Sequence, residues 1–155
     1  GHRGDRLKEC VCSHSQIEKY WNKLSGPLLD RIDLHLEVPR LSNNEIISTR
    51  VSESSKSIRE RVIRARNIQT KRFEETNIFA NSQMQPSHIR KYCKLDDNSI
   101  QILKRAIDQL GLSARAHDRI LKVARTISDL DNSESIKPQH IAEAIQYRSL
   151  DRLKI

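Results

Sequence analysis

The chain has 155 residues, enough for one domain or for a small domain with an appendage. Its 28 Lys and Arg outnumber 20 Asp and Glu, giving a net charge of +8; this favours polyanionic partners such as nucleic acid or nucleotide phosphate, although a solvated helical surface shows the same balance. No apolar run approaches the roughly 18 residues needed to span a bilayer, no signal-peptide core opens the chain, and three cysteines, an odd number, argue against a secreted disulfide scaffold, so a cytoplasmic setting is expected.

Residues 1–12 are polar and rich in glycine and charge, and read as loop. Ser13 with Gln16 three residues on forms a capping-box pattern, and Ile17, Tyr20, Trp21 and Leu24 follow at helical spacing. Gly26-Pro27 is expected to close that helix. Residues 33–38 (DLHLEV) alternate strictly and stop at Pro39, the pattern of a half-buried strand. A lone strand leaves its ladder of backbone groups unmet, so it implies a sheet outside this chain or an edge left hanging.

Residues 53–75 read as a long helix with Ile58, Val62, Ala65 and Phe73 on one side and Lys56, Arg59, Arg64 and Lys71 on the other, strongly basic side. Residues 76–85, rich in Asn, Ser and Gln, read as a linker. Pro86 starts a short helix through Tyr92. A second covers residues 95–110 with Ile100, Leu103, Ile107 and Leu110 as its stripe, and Gly111 stops it. A third runs over 113–130, and a fourth begins at Pro138 with Ile141, Ala144 and Ile145 turned inward. Together they predict a mainly α fold: a compact helical bundle, a long connecting helix and a single strand. Three units follow in order, residues 1–40, the connecting segment 41–85 and the bundle 86–155.

No G-x-x-x-x-G-K-[ST] loop occurs, nor a G-x-S-x-G elbow or an H-E-x-x-H helix, so the chain alone carries no complete site for nucleotide or ester hydrolysis. Cys10-Val11-Cys12 supplies two thiols where a tetrahedral zinc site needs four ligands; His2 and His14 are the nearest other candidates. Cys93 reads as core. Arg31 sits on a tight turn where its planar fork could meet a phosphate, and a salt bridge to Asp30 or Asp33 explains the spacing equally well. On the third bundle helix Ala116, Ile120, Val123, Ala124, Ile127 and Leu130 form the apolar face, beside a ridge of Arg115, Arg119 and Lys122. A cation at a helix N-terminus gains nothing from the helix dipole, which makes an anionic ligand the better account of Arg115.

Several stretches carry a resemblance: S-G-P-L-L-D-R-I-D at 25–33, C-V-C-S-x-x-Q-I-x-x-Y at 10–20, R-K-Y-C-K-L-D at 90–96, L-G-L-S-A-R-A-H-D-R-I-L-K-V-A-R-T-I at 110–127 and A-I-Q-Y-R-S-L-D-R at 144–152. Over nearly the whole chain they resemble the C-terminal region of the ComM/YifB-type magnesium-chelatase-like branch of the AAA+ ATPases. The resemblance implies a helical lid following the end of an ATPase core whose phosphate-binding loops lie elsewhere. It implies that Arg31 is an arginine finger acting in trans and that Arg115, with Arg119 as a weaker candidate, is the sensor-2 arginine. It implies ATP and Mg2+ as cofactors of the whole protein, a hexamer of itself, and DNA as a partner, with no membrane. In such proteins a C-P-C-G stretch precedes the C-x-C pair, so Cys10 and Cys12 would be half of a zinc site, with no stable zinc expected on these residues alone. A metal-chelatase motor subunit and a free-standing basic nucleic-acid-binding module are the alternative readings.

Overall fold

The computed structural model describes residues 1–5, 7–48 and 52–148, and of residues 44 and 45 the backbone alone. Residues 149–152, the end of the A-I-Q-Y-R-S-L-D-R stretch, lie outside the described residues.

Ser13 caps α1 (His14–Trp21) as expected: its hydroxyl accepts from the Gln16 N–H at 3.3 Å while the Gln16 carboxamide accepts from the Ser13 N–H at 2.9 Å. The helix stops at Trp21, earlier than expected. Gly26-Pro27 opens a new turn of helix, α2 (Gly26–Leu29), because proline tolerates the first turn and Ser25 caps the Leu28 N–H. The strand expected over 33–38 does not form, and among the described residues there is no strand, only an isolated parallel bridge between Leu95 and Ile136. With no neighbouring strand to pair with, the segment places His35 inward at 5% exposure and leaves Leu34, Leu36 and Val38 on the surface. A short helix, α3 (Asn43–Ile47), follows.

The long helix is α4 (Ser55–Arg72), capped by Ser54 through the Ser57 N–H at 3.2 Å. Its N-terminal half stands clear of the bundle: Ile58, Val62 and Ile63 are exposed, contrary to the expected stripe, and only Ala65, Gln69 and then Phe73 are buried. Residues 76–85 are folded as well. They include a 3-10 turn (Asn81–Gln83) and bury Asn81 and Met84 to 1% and 2% exposure. Polar composition suggested a linker, but the Asn81 side chain is consumed internally. It accepts from Arg72 at 2.9 Å and donates to Asp129 at 2.8 Å and Thr126 at 3.1 Å.

Four helices complete the bundle: α5 (Pro86–Tyr92), α6 (Asp97–Leu110), α7 (Ala114–Leu130) and α8 (Pro138–Gln146). Each boundary has a chemical cause. Asp96 and Ser113 accept from the first-turn N–H groups of α6 and α7 at 2.7 and 3.2 Å, Gly111 ends α6 in the left-handed region at φ 60°, and Pro86 and Pro138 start α5 and α8. His140, buried in α8, accepts the Lys137 N–H on Nδ1 at 3.0 Å, so its proton sits on Nε2 and is donated to Asp131 at 3.1 Å. The core joins Phe73, Met84, Ile89, Leu103, Ile120, Leu121, Ala124, Ile136, Ile141 and Ala144.

The buried face of α7 is rotated from the expected stripe. Leu130 is exposed, whereas Leu121, Arg125, Ser128 and Asp129 are buried. Asp129 explains this rotation: it pairs with Arg72 from α4 and with Arg125 at 3.3 Å, and its carboxylate is fully enclosed. Arg125 also donates to the carbonyls of Ser133 at 2.7 Å and Glu134 at 2.8 Å, fastening the α7–α8 loop. Burial holds its guanidinium below the usual arginine range, against the raising effect of Asp129.

Candidate functional site

The arginines singled out in the sequence as phosphate-binding candidates lie in two places, the turn after α2 and the first turns of α7. Arg31 occupies the turn directly after α2, where its N–H donates to the Leu28 carbonyl at 2.9 Å, and its side chain is exposed. Neither neighbouring carboxylate takes it. Asp30 lies 3.8 Å from Arg148, and Asp33 is paired with Arg119. Arg31 makes no ion pair among the described residues, so its fork projects from a turn whose own acids are already engaged.

Arg115 lies in the first turn of α7, exposed and likewise without an ion pair among the described residues. Its neighbours on the ridge are committed elsewhere: Arg119 to Asp33, and Lys122 to the Ser82 carbonyl at 3.1 Å. The structure therefore separates the two sensor candidates, leaving Arg115 open at a helix N-terminus and placing Arg119 in an ion pair. Sequence reasoning missed the role of Arg148. The A-I-Q-Y-R stretch contained it, but nothing in its local pattern points across 116 residues to the Ile32 carbonyl, to which it donates.

The thiols of Cys10 and Cys12 face a common space. A Cβ on Gly1 would stand 2.8 Å from Cys12 Sγ and 3.3 Å from Cys10 Sγ, beside an open cavity of about 730 Å3 lined in part by Tyr20, Trp21 and Leu36. Hydrogen bonds from the Cys12 backbone and then the His2 backbone hold the Cys10 thiol below its ordinary value. His2 and His14 do not join them, lying instead near Asp5 at 3.9 Å and Glu18 at 3.6 Å. No group of three or more His, Cys, Asp or Glu able to hold a metal exists among the described residues, so the donors present do not fit a tetrahedral zinc by themselves. Cys93 is core, its thiol pushed up to about 11 by burial and its Sγ 3.8 Å from the Leu121 carbonyl.

The exposed face of α4 gathers Lys56, Arg59, Arg64, Arg66 and Lys71. Arg61 is held out of this array by a bidentate pair with Glu53 at 2.7 and 3.1 Å, which lowers the glutamate's pKa and raises the arginine's. No helix among the described residues is long and apolar enough to cross a membrane.

Direct comparison with known proteins gives the class to which this helical bundle and the segment before it belong. Residues 52–148 match the family described as the C-terminal part of magnesium chelatase subunit ChlI, and residues 1–46 match the magnesium chelatase subunit ChlI family itself. The chain belongs to this magnesium-chelatase-like family, and within it to the ComM/YifB type. The competence protein ComM of Haemophilus influenzae is 44% identical over 91% of the chain, and the YifB protein of Escherichia coli 45% identical over 93%. A Mycobacterium tuberculosis protein is 31% identical over 91%. The chain spans 27–28% of the length of these relatives.

Proposed function

We propose that this chain is the lid and arginine-finger region of a magnesium-chelatase-like AAA+ ATPase that works as a hexameric motor on DNA. The observation that carries the reading is Arg31, an exposed guanidinium on a short turn whose two adjacent carboxylates are already paired with other arginines. ATP with Mg2+ supplies the phosphoryl group that is transferred to water. This chain's part is electrostatic: Arg31 reaches the γ-phosphate held by a neighbouring subunit and meets the charge that develops there. Arg115, at the N-terminal turn of α7, contacts nucleotide phosphate from the lid, where a cation with no ion pair among the described residues has an anion to gain. Arg119 is the weaker candidate for that contact because Asp33 already occupies it.

In the full-length protein Arg31→Ala is expected to lower ATP turnover by about a thousandfold, in line with other trans-acting arginines. Undiminished turnover would remove the assignment. The exposed basic face of α4 supports DNA as the partner. The alternative of a chelatase motor acting on a protein partner is favoured only by the family's description. Affinity of the hexamer for duplex DNA that falls steeply with salt decides for DNA, since each neutralised phosphate adds about one unit to the logarithmic salt slope. A free-standing nucleic-acid module is the third reading, and the lone strand that implied a sheet outside this chain does not form. It would have to bind tightly as this chain alone.

A further inference from the structure

Among the described residues Arg148 is the largest side chain that is fully buried, at 1% exposure, just beyond the end of α8. A buried cation is tolerated only where its partners are fixed. Its partners include the Ile32 carbonyl and, at 3.8 Å, the Asp30 carboxylate, the two residues flanking Arg31. Two more ties follow on the same segment. Asp33 pairs with Arg119 on α7, one helical turn beyond Arg115, and the His35 N–H donates to the Tyr147 carbonyl at 2.7 Å. Residues 30–35 are thus fastened to α7 and to the end of α8 by four contacts that bracket Arg31, while Arg31 itself points outward.

The half-exposed Asp33–Arg119 pair adds little stability in water. It adds a tie to α7 beside the contacts that Arg148 and Tyr147, at the end of α8, make with residues 30–35.

We infer that Arg148, Arg119 and Asp33 form a strap that positions Arg31 and makes its turn move as one body with α7. The inference rests on the reading of Arg31 as the trans-acting arginine. Any nucleotide-linked rotation of the lid sensed at Arg115 is then delivered directly to Arg31, which faces the next subunit. Arg148, Arg119 and Asp33 are positioning residues, since none of them need touch nucleotide for the strap to work.

The test uses the full-length protein with ATP turnover and hydrogen exchange as paired readouts. Arg148→Gln is expected to lower kcat about a hundredfold, the scale of an ångström-size misplacement of a catalytic group, and Asp33→Asn about tenfold, each with KM for ATP changed by less than about twofold. Peptides covering residues 33–36 exchange faster in both variants, through loss of the His35 to Tyr147 hydrogen bond. The exchanged pair Asp33→Arg with Arg119→Asp recovers turnover relative to either single change; failure to recover would return Arg119 to the nucleotide and overturn its place in the strap. On an Arg31→Ala background Asp33→Asn costs nothing further, because the strap acts through Arg31, and an additive loss there overturns the inference. If Arg31→Ala alone leaves turnover intact, the finger reading is lost, and exchange at residues 33–36 still decides the strap: unchanged exchange in Arg148→Gln and Asp33→Asn removes it as well.

Discussion

The bundle of α4 to α8 and the segment of residues 7–48 hold their shape by different means. In the bundle Ala116, Ala124 and Ile141 are sealed from water and a carboxylate, Asp129, is enclosed by two arginines. Residues 7–48 contain one buried residue among those described, His35, and leave Val11, Leu36 and Val38 at 93, 68 and 88% exposure. The bundle is therefore ordered by many mutually supporting contacts, whereas the Arg31 turn is ordered by a few directed ones to the bundle's edge. An arginine on a lightly packed turn can be moved at small cost, which suits the role proposed for Arg31.

The strongest way to break this contrast is to remove the enclosed carboxylate. Asp129→Asn leaves the buried Arg125 and the half-buried Arg72 without their counter-charge and is expected to cost about 3–5 kcal/mol of bundle stability, measured by urea unfolding followed by circular dichroism. A loss below about 1 kcal/mol would show that water or another acid compensates. Next in size, Ile141→Ala should cost about 2–4 kcal/mol through the cavity it leaves at a fully buried site, while the chemically similar Val38→Ala stays within about 0.5 kcal/mol. Comparable losses at the two positions would abolish the distinction between the regions. Smaller again, Ser113→Ala removes the cap of α7 and should cost about 1 kcal/mol; because Arg115 lies in the same turn, the same change is expected to raise KM for ATP in the full-length protein.

The bundle was largely legible in the sequence because its signals are local. Ser113, Gly111, Pro86 and Pro138 mark helix ends by backbone chemistry that needs no tertiary partner. What escaped was set by long-range polar pairing. Asn81 and Asp129 look like surface residues until Arg72 closes on them from α4, and that closure turned both the expected linker and the face of α7 inward. The alternation over residues 33–38 was a real pattern with the wrong consequence, since period-two hydrophobicity specifies a strand only where another strand is present. Arg31 and Arg115 are exposed and make no ion pair among the described residues, whereas Arg148 could not be found by any local rule, since residues 30 and 32 are among its partners.

The mildest test sets the thiols of the two regions against each other. Cys10 and Cys12 lie in the loop beside an open cavity, and Cys93 lies in the core against the Leu121 carbonyl. At neutral pH iodoacetamide should label Cys10 and Cys12 within minutes and reach Cys93 only through bundle opening, at a rate that tracks unfolding. The alkaline behaviour of Cys93 follows from the same burial. Its thiol ionises at about 11 in the folded chain against 9.0 when unperturbed, so the folded state retains the proton that the unfolded state gives up. The stability this provides is fully present below pH 9 and is lost as pH rises through 11. Stability measured between pH 8 and pH 11 should therefore fall less in Cys93→Ala than in the parent chain, although Cys93→Ala is the less stable at pH 7 for the contacts it gives up. Parallel pH profiles for the two would mean that the Cys93 thiol meets water in the folded bundle, and the separation between a sealed bundle and a lightly held turn would have to be redrawn at α5.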